Sequence, residues 1–373
     1  MSGSYICFFI GTEAELIKQF PVMLQIQKRG LKIKIIASGQ NDIIKSKVLK
    51  AVNGGIIDVQ LSNESEIKKS AVGLLEWFFK TQRIAQKIIL DALDNIDFAH
   101  SIMVVHGDTI STVMGARIGK KLGMKVAHVE AGLRSHNILM PFPEEIDRIV
   151  TSNYADLHYV PGKEGCYNLK KKKGKIIDTT YNTVLDSLEY SRNYECMNNT
   201  IKSVLDKPYF VYVLHRQENL MNKALMKKAV ESAVRYSEQR TCVFILHKPT
   251  EITLTNMGLL KTLENCKNIV LLKRAEYFDF TKLLDKAQFV ITDGESNQEE
   301  LAYMGKPCLI MRTSSERSDG LGENAILYGG DIGMIDSFIE HYNDYQKKPV
   351  DVTFSPSEIV AKSLVEELKR IGG

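Results

Sequence analysis

Short apolar runs alternate with amphipathic helical patterns along almost the whole chain, and this rhythm leaves few architectures open. A parallel strand is reached only through a crossover, usually a helix, and is buried on both faces, so it reads as a brief unbroken apolar run. Runs of this kind predict strands at Tyr5–Ile10, Lys32–Ala37, Ile57–Val59, Ile102–Val105, Lys125–Val129 and Leu157–Val160. Helical patterns fall between them at Glu15–Lys28, Val72–Leu93 and Thr112–Leu122. A second series follows at Phe210–Leu214, Val243–Leu246, Ile269–Leu272, Phe289–Thr292 and Cys308–Met311, after a polar stretch over Asn182–Asn199 that breaks the alternation.

The expected fold class is therefore α/β, with two doubly wound Rossmann-like domains facing a cleft. Their expected bounds are residues 1–185 and 200–350. A closing helix over 355–373, with its apolar Ile359, Val360, Leu364, Leu368 and Ile371 at helical spacing, can cross back to the first domain. At 373 residues the chain is too long for one ordinary core, which independently favours two.

Composition narrows the function classes. Lys+Arg of 49 against Asp+Glu of 45 leaves a net charge of only +4, too little to argue for nucleic acid as a partner. The basic run Lys170–Lys173 reads as a solvated turn. Six scattered cysteines without C-x-x-C spacing read as reduced thiols, and no apolar stretch approaches membrane-spanning length. The expected setting is the cytoplasm, with no membrane partner.

Four places carry chemistry. Gly11 ends the first strand and opens a helix at Thr12-Glu13-Ala14-Glu15, either as an anion-binding turn or as an ordinary tight turn. His106-Gly107-Asp108-Thr109, then His128-Val129-Glu130-Ala131-Gly132-Leu133-Arg134, then Pro141-Phe142-Pro143-Glu144-Glu145 bring three acids, Asp108, Glu130 and Glu144, to one sheet edge. Open α/β sheets hold ligands at that edge. Taken singly, Asp108 could cap a helix, Glu130 could pair with Arg134, and Glu144 with Glu145 could favour a helix start. Third, His215-Arg216 follows the first strand of the second series and suits a diphosphate. Fourth, Asp293-Gly294-Glu295-Ser296 and Glu299-Glu300 form a strand–turn–helix that suits a nucleotide, with Arg312 and Arg317 close behind.

In order and spacing, these blocks, together with Asn182-Thr183-Val184 and Asp186, resemble the UDP-N-acetylglucosamine 2-epimerase family from about residue 5 to about residue 330. The resemblance implies a glycosyltransferase-B architecture and conversion of UDP-GlcNAc to UDP-ManNAc, with free ManNAc and UDP released in a hydrolysing branch. It implies catalytic roles for Asp108, Glu130, Glu144 and His215. It implies substrate or nucleotide contacts at Gly11, Gln40, Arg134, His215, Arg216, Phe280, Gly294, Glu295, Ser296, Glu300 and Arg317. Glu300 would hold the ribose, Phe280 would lie near the uracil, and Arg317 near the phosphates. A UDP-sugar is the implied ligand, a homodimer the implied assembly, and no metal or other cofactor is implied. A glycosyltransferase of the same architecture and a binding protein without turnover are the competing readings.

The implied chemistry explains the need for several carboxyls. The C2 hydrogen of an N-acetylhexosamine is not next to a carbonyl, so it is acidified only as the C1–O bond to UDP breaks. Inverting C2 then requires proton removal on one face and delivery on the other, which one acid–base group cannot do. Certain positions depart from the family pattern: Glu13 replaces an arginine, Glu295 adds a carboxylate to the phosphate turn, and Tyr181 replaces a glycine. Each added charge would cost on the order of a kcal/mol beside a diphosphate. Unless these side chains turn away and Lys248, Arg274, Arg312 or Arg317 compensates, the ligand must differ. Gln40-Asn41-Asp42 also departs from the Gln-His pattern of members activated by a second substrate molecule, so no such activation is expected.

Overall fold

The computed structural model describes residues 3–63, 70–137, 142–315, 317–351 and 353–372; Pro141, part of a motif above, and Glu316 lie outside them. The chain divides into two compact units, Met1–Ser187 with Thr353–Gly373, and Leu188–Val352.

The first unit is a parallel sheet of seven strands: β1 Ile6–Ile10, β2 Ile33–Ala37, β3 Val59–Gln60, β4 Ile102–His106, β5 Lys125–Val129, β6 Leu157–Val160 and β7 Lys175–Asp178. Their order is β3-β2-β1-β4-β5-β6-β7, so the winding reverses between β1 and β4. Such a reversal leaves the loops at the carboxyl ends of the two flanking strands splayed apart, with room for a ligand. The helix Ala71–Ala92 buries Trp77, Phe78, Ala85 and Ile89 against Cys7, Phe9, Met103 and Val105 of the sheet. The terminal helix Pro356–Gly372 packs on the helix Glu13–Lys28. It is tied by Lys125 to Glu367 at 2.5 Å, by the Tyr159 hydroxyl donating to Ser363 at 3.1 Å, and by Asp186 accepting from the Ser357 amide at 2.7 Å.

The second unit repeats the plan with six parallel strands: β8 Tyr209–Val213, β9 Thr241–Leu246, β10 Ile269–Lys273, β11 Val290–Thr292, β12 Cys308–Ile310 and β13 Ala325–Leu327. The order is β10-β9-β8-β11-β12-β13, with its reversal between β8 and β11. Stacked Phe210–Phe289 and Tyr212–Phe244 rings, with centroids 4.9 and 5.4 Å apart, anchor its core.

The edge strands β7 and β13, which close the two sheets on the side of the later strands, escape the apolar-run criterion. β7 is half-exposed and only its Ile176 and Ile177 are apolar, while β13 is three residues long. The polar stretch over Asn182–Asn199 contains a helix, Val184–Asn193. Its buried apolar residues are Val184, Leu185 and Leu188, too few to raise a periodic signal above the polar background.

Candidate active site

In the first unit the chemistry gathers at the carboxyl ends of β4 and β5, which are neighbours in parallel register. Thr109 caps the helix Ile110–Lys121, accepting from the Thr112 amide while Thr112 returns a bond to the Thr109 amide. With the cap taken by Thr109, Asp108 is not the capping residue. Its carboxylate instead receives both Nε and Nη2 of Arg148, at 2.9 and 2.6 Å. Arg148 comes from the helix Glu144–Tyr154, which therefore brings its amino-terminal Glu144 to the same edge.

Glu130 follows β5 with φ at +61°, a left-handed conformation that costs a non-glycine residue energy and concentrates at functional sites. Its buried carboxylate accepts from Lys18 Nζ at 3.0 and 2.8 Å and lies 3.1 Å from His106 Nε2. Lys18 stands on the helix Glu13–Lys28 and is itself buried, so a buried charge is matched by a buried countercharge. The alternative pairing of Glu130 with Arg134 does not occur. Arg134 is engaged by Glu145, whose other oxygen accepts from the Ser135 amide at 3.0 Å. Burial works against the Glu145 anion, but these donors and Arg148 hold its carboxyl below the usual range. Burial pushes His128 down to about 4, so its ring is neutral and donates from Nε2 to the Gly107 carbonyl at 2.7 Å.

The Gly11 turn has a ligand of its own making. The Gly11 amide donates to Glu15 Oε2 at 2.8 Å, and Thr109 donates to Oε1 at 2.7 Å. Burial pushes Glu15 up to about 7 despite these bonds. A Cβ at Gly11 would stand 2.2 Å from that of Ser111, which is why no side chain fits there. Ser111 in turn donates to Gln40 Oε1 at 2.6 Å, which places Gln40 beside this turn.

In the second unit Asp293, at the end of β11, is buried and organises the turn after β8. It accepts from the amides of His215 and Arg216, from Asn219 Nδ2, and lies 3.0 Å from His215 Nδ1. Burial opposes its charge, but these donors win and hold its carboxyl below the usual range. The Nδ1 contact orients the exposed His215 ring and leaves Nε2 as the nitrogen turned away from Asp293.

Glu295 opens the helix Glu295–Met304, where Arg216 at 3.1 Å and Arg312 both converge on its Oε1. The compensation that this carboxylate demands therefore comes from Arg312, as one option held, and from Arg216. Arg317 adds its charge to the field that holds Glu295 ionised while pairing with Glu299 at 3.0 Å, and the exposed Lys248 faces Glu251 at 3.9 Å. Gly294 precedes the helix beside His215, and Ser296 is exposed on its first turn. Glu300 is buried facing Tyr277, and burial together with the Glu300 charge pushes the Tyr277 phenol well up. Phe280 lies half-buried on the helix Tyr277–Lys286.

Lys18, Arg148 and Asp147 were not singled out by the sequence patterns. Arg148 had a usable signal, since it follows Glu144 by four residues on one helix and so shares its face. Lys18 had none, being 112 residues from Glu130 in the chain.

Two sheets wound in the same order, with proton-transferring groups at the strand ends of one and paired arginines at those of the other, define an α/β protein of the glycosyltransferase-B kind. The model of the family "UDP-N-acetylglucosamine 2-epimerase" matches residues 25–348, and the chain belongs to that family of epimerases. It is 28% identical to the UDP-N-acetylglucosamine 2-epimerase of Methanocaldococcus jannaschii, over 87% of this chain and 88% of that one. The Bacillus subtilis enzyme of that name is 29% identical, over 86% of this chain and 82% of its own. The solved Methanocaldococcus jannaschii structure matches with a TM-score of 0.78 at 26% identity, over 97% of this chain and 99% of that one. A further structure from that organism, solved in complex with UDP-GlcNAc and UDP, matches with a TM-score of 0.75 over the same shares, also at 26% identity.

Proposed function

We propose that this chain is a non-hydrolysing 2-epimerase that interconverts UDP-GlcNAc, or a close UDP-N-acetylhexosamine, with its C2 epimer UDP-ManNAc. The observation that carries the reading is the pairing of Asp108 and Glu130 on adjacent strand ends, each held by its own buried or half-buried cation, with Glu144 entering from the next helix. Charges fixed before substrate arrives stabilise a cationic transition state without reorganisation.

In this reading the C1–O bond breaks with its electron pair leaving on UDP, and the C2 proton passes to a carboxylate, giving a glycal. The UDP oxygen then re-adds to C1, and a proton returns to C2 on the opposite face from a second carboxyl. Asp108, Glu130 and Glu144 are the acid–base groups, and His215 Nε2 meets the departing diphosphate. Glu300 holds the ribose, Phe280 lines the base, and Arg216, Arg312 and Arg317 with the Gly294–Ser296 turn supply the charge around the phosphates.

The six cysteines stand as free thiols, which suits a reducing cytoplasmic setting, and surface-polysaccharide precursors are the destination that suits an N-acetylmannosamine donor. Val72, Leu75 and Phe79 are exposed at helical spacing on the helix Ala71–Ala92, a face that suits pairing with a second copy in a homodimer. Incubation with UDP-GlcNAc in deuterated water should place deuterium at C2 of both epimers with the UDP linkage intact. Release of free UDP and sugar would favour a hydrolysing enzyme, and failure to exchange the C2 hydrogen would remove the reading.

A further inference from the structure

The helix that delivers Glu144 and Arg148 carries a third acid that neither the motif pattern nor the mechanism above employs. Asp147 lies one turn beyond Glu144 and is 8% exposed. Its Oδ2 has no hydrogen-bond donor among the described residues, and neither has the buried Oε2 of Glu144. The charges that bear on Asp147 are both negative: Asp108, from the turn after β4, and Glu144, from its own helix. The one nearby cation on the helix, Arg148, is spent on Asp108 and Glu145. His128, on the adjacent strand, is neutral and bonded to Gly107.

A buried carboxylate oxygen without a donor is costly, and close acids that lack a countercharge cannot all ionise. From this geometry we propose that Asp147 holds a proton for the Asp108–Glu144 pair, acting as a positioning residue that sets the charge state in which those two acids meet the sugar. The inference rests on the epimerase reading for its consequence, but the proton itself is there with or without substrate. Burial, and then the charges of Asp108 and Glu144, push Asp147 up to about 7, so the store empties near neutral pH. Once it empties, an added negative charge faces Asp108 and Glu144.

The test has two arms. Without substrate, carboxyl carbon NMR on protein labelled at aspartate should show one aspartyl resonance titrating near pH 7, absent from Asp147→Asn. With UDP-GlcNAc, kcat/KM plotted against pH should bend near pH 7 in the natural chain, and the bend should move by at least half a pH unit or vanish in Asp147→Asn. Asp147→Glu, which keeps a carboxyl, should restore it. No aspartyl titration between pH 6 and 8, or one that persists in Asp147→Asn, overturns the proposal. Should Asp147→Asn not fold, the resonance in the natural chain and in Asp147→Glu decides. A titrating Asp147 in a protein that never exchanges the C2 hydrogen would instead leave the proton store standing and remove the epimerase reading.

Discussion

Replacing Lys18 by methionine removes the charge on which Glu130 depends while keeping the length and most of the volume of the side chain. Lys18 Nζ stands 3.0 and 2.8 Å from the two carboxylate oxygens, with the two side chains 10% and 6% exposed. At about 3 Å and an effective dielectric near 20 the attraction is about 5 kcal/mol. Part of this is returned because Lys18 no longer has to be desolvated. Breaking a buried pair from one side typically costs about 3–5 kcal/mol, because it strands the other charge. The chain's single tryptophan, Trp77, is buried in the first unit and donates to Ser62 at 2.8 Å, so its fluorescence follows that unit alone. In urea or on heating, Lys18→Met should lose about 3–5 kcal/mol by this probe, a fall on the order of 10 °C in Tm. The double variant Lys18→Met/Glu130→Gln, which leaves no charge stranded, should recover most of the loss. With Glu130→Gln as the remaining corner of the cycle, a coupling energy below about 1 kcal/mol would show that Lys18 is not what offsets the buried Glu130 charge.

Other consequences can be measured separately. Glu295→Gln should free Arg216 and Arg312 and tighten UDP binding about tenfold by calorimetry, worth ~1.4 kcal/mol, whereas weaker binding would mean that Glu295 itself contacts the ligand. Glu300→Ala should weaken UDP binding, by roughly 1–3 kcal/mol if it accepts from the ribose, with little effect on the first unit's unfolding. Asp147 is raised in the folded state from 3.8 to about 7, so its contribution is fully present below about pH 4 and lost as pH rises through 7. Asp147→Asn should therefore gain on the natural chain between those limits, by up to about 4 kcal/mol in denaturant titrations, and a pH-independent gap would contradict the shift. Gly11→Ala drives a methyl group into Ser111 at 2.2 Å and should cost roughly 1–3 kcal/mol while disturbing Gln40, readable as a lower Tm; an unchanged Tm would mean the turn is looser than it stands.

What the amino-acid sequence determined by itself was local. Unbroken apolar runs such as Ile102–Val105 and Lys125–Val129 could be read as buried parallel strands because both faces are covered, and the helix Ile110–Lys121 between them because its pattern changes period. The motifs carrying Asp108 and Glu130 were legible because each sits where such a run ends, and boundaries are where a wound sheet exposes side chains; Glu144 was legible as the acid that opens the next helix. Edge strands like β13 were not legible, since a strand of three residues has too few positions to form a pattern.

Tertiary structure alone decided the partners. Arg134 is nearer to Glu130 in sequence than any other cation, yet Lys18 holds Glu130 and Arg134 holds Glu145. Likewise Glu295 reads as a surplus charge until Arg312 arrives from beyond β12 and Arg216 from the turn after β8. The physical reason is range: hydrogen bonding along a helix or strand is settled by residues a few positions away. The state of a buried charge is settled by whichever group the folded chain brings within about 3 Å, and sequence separation carries no information about that.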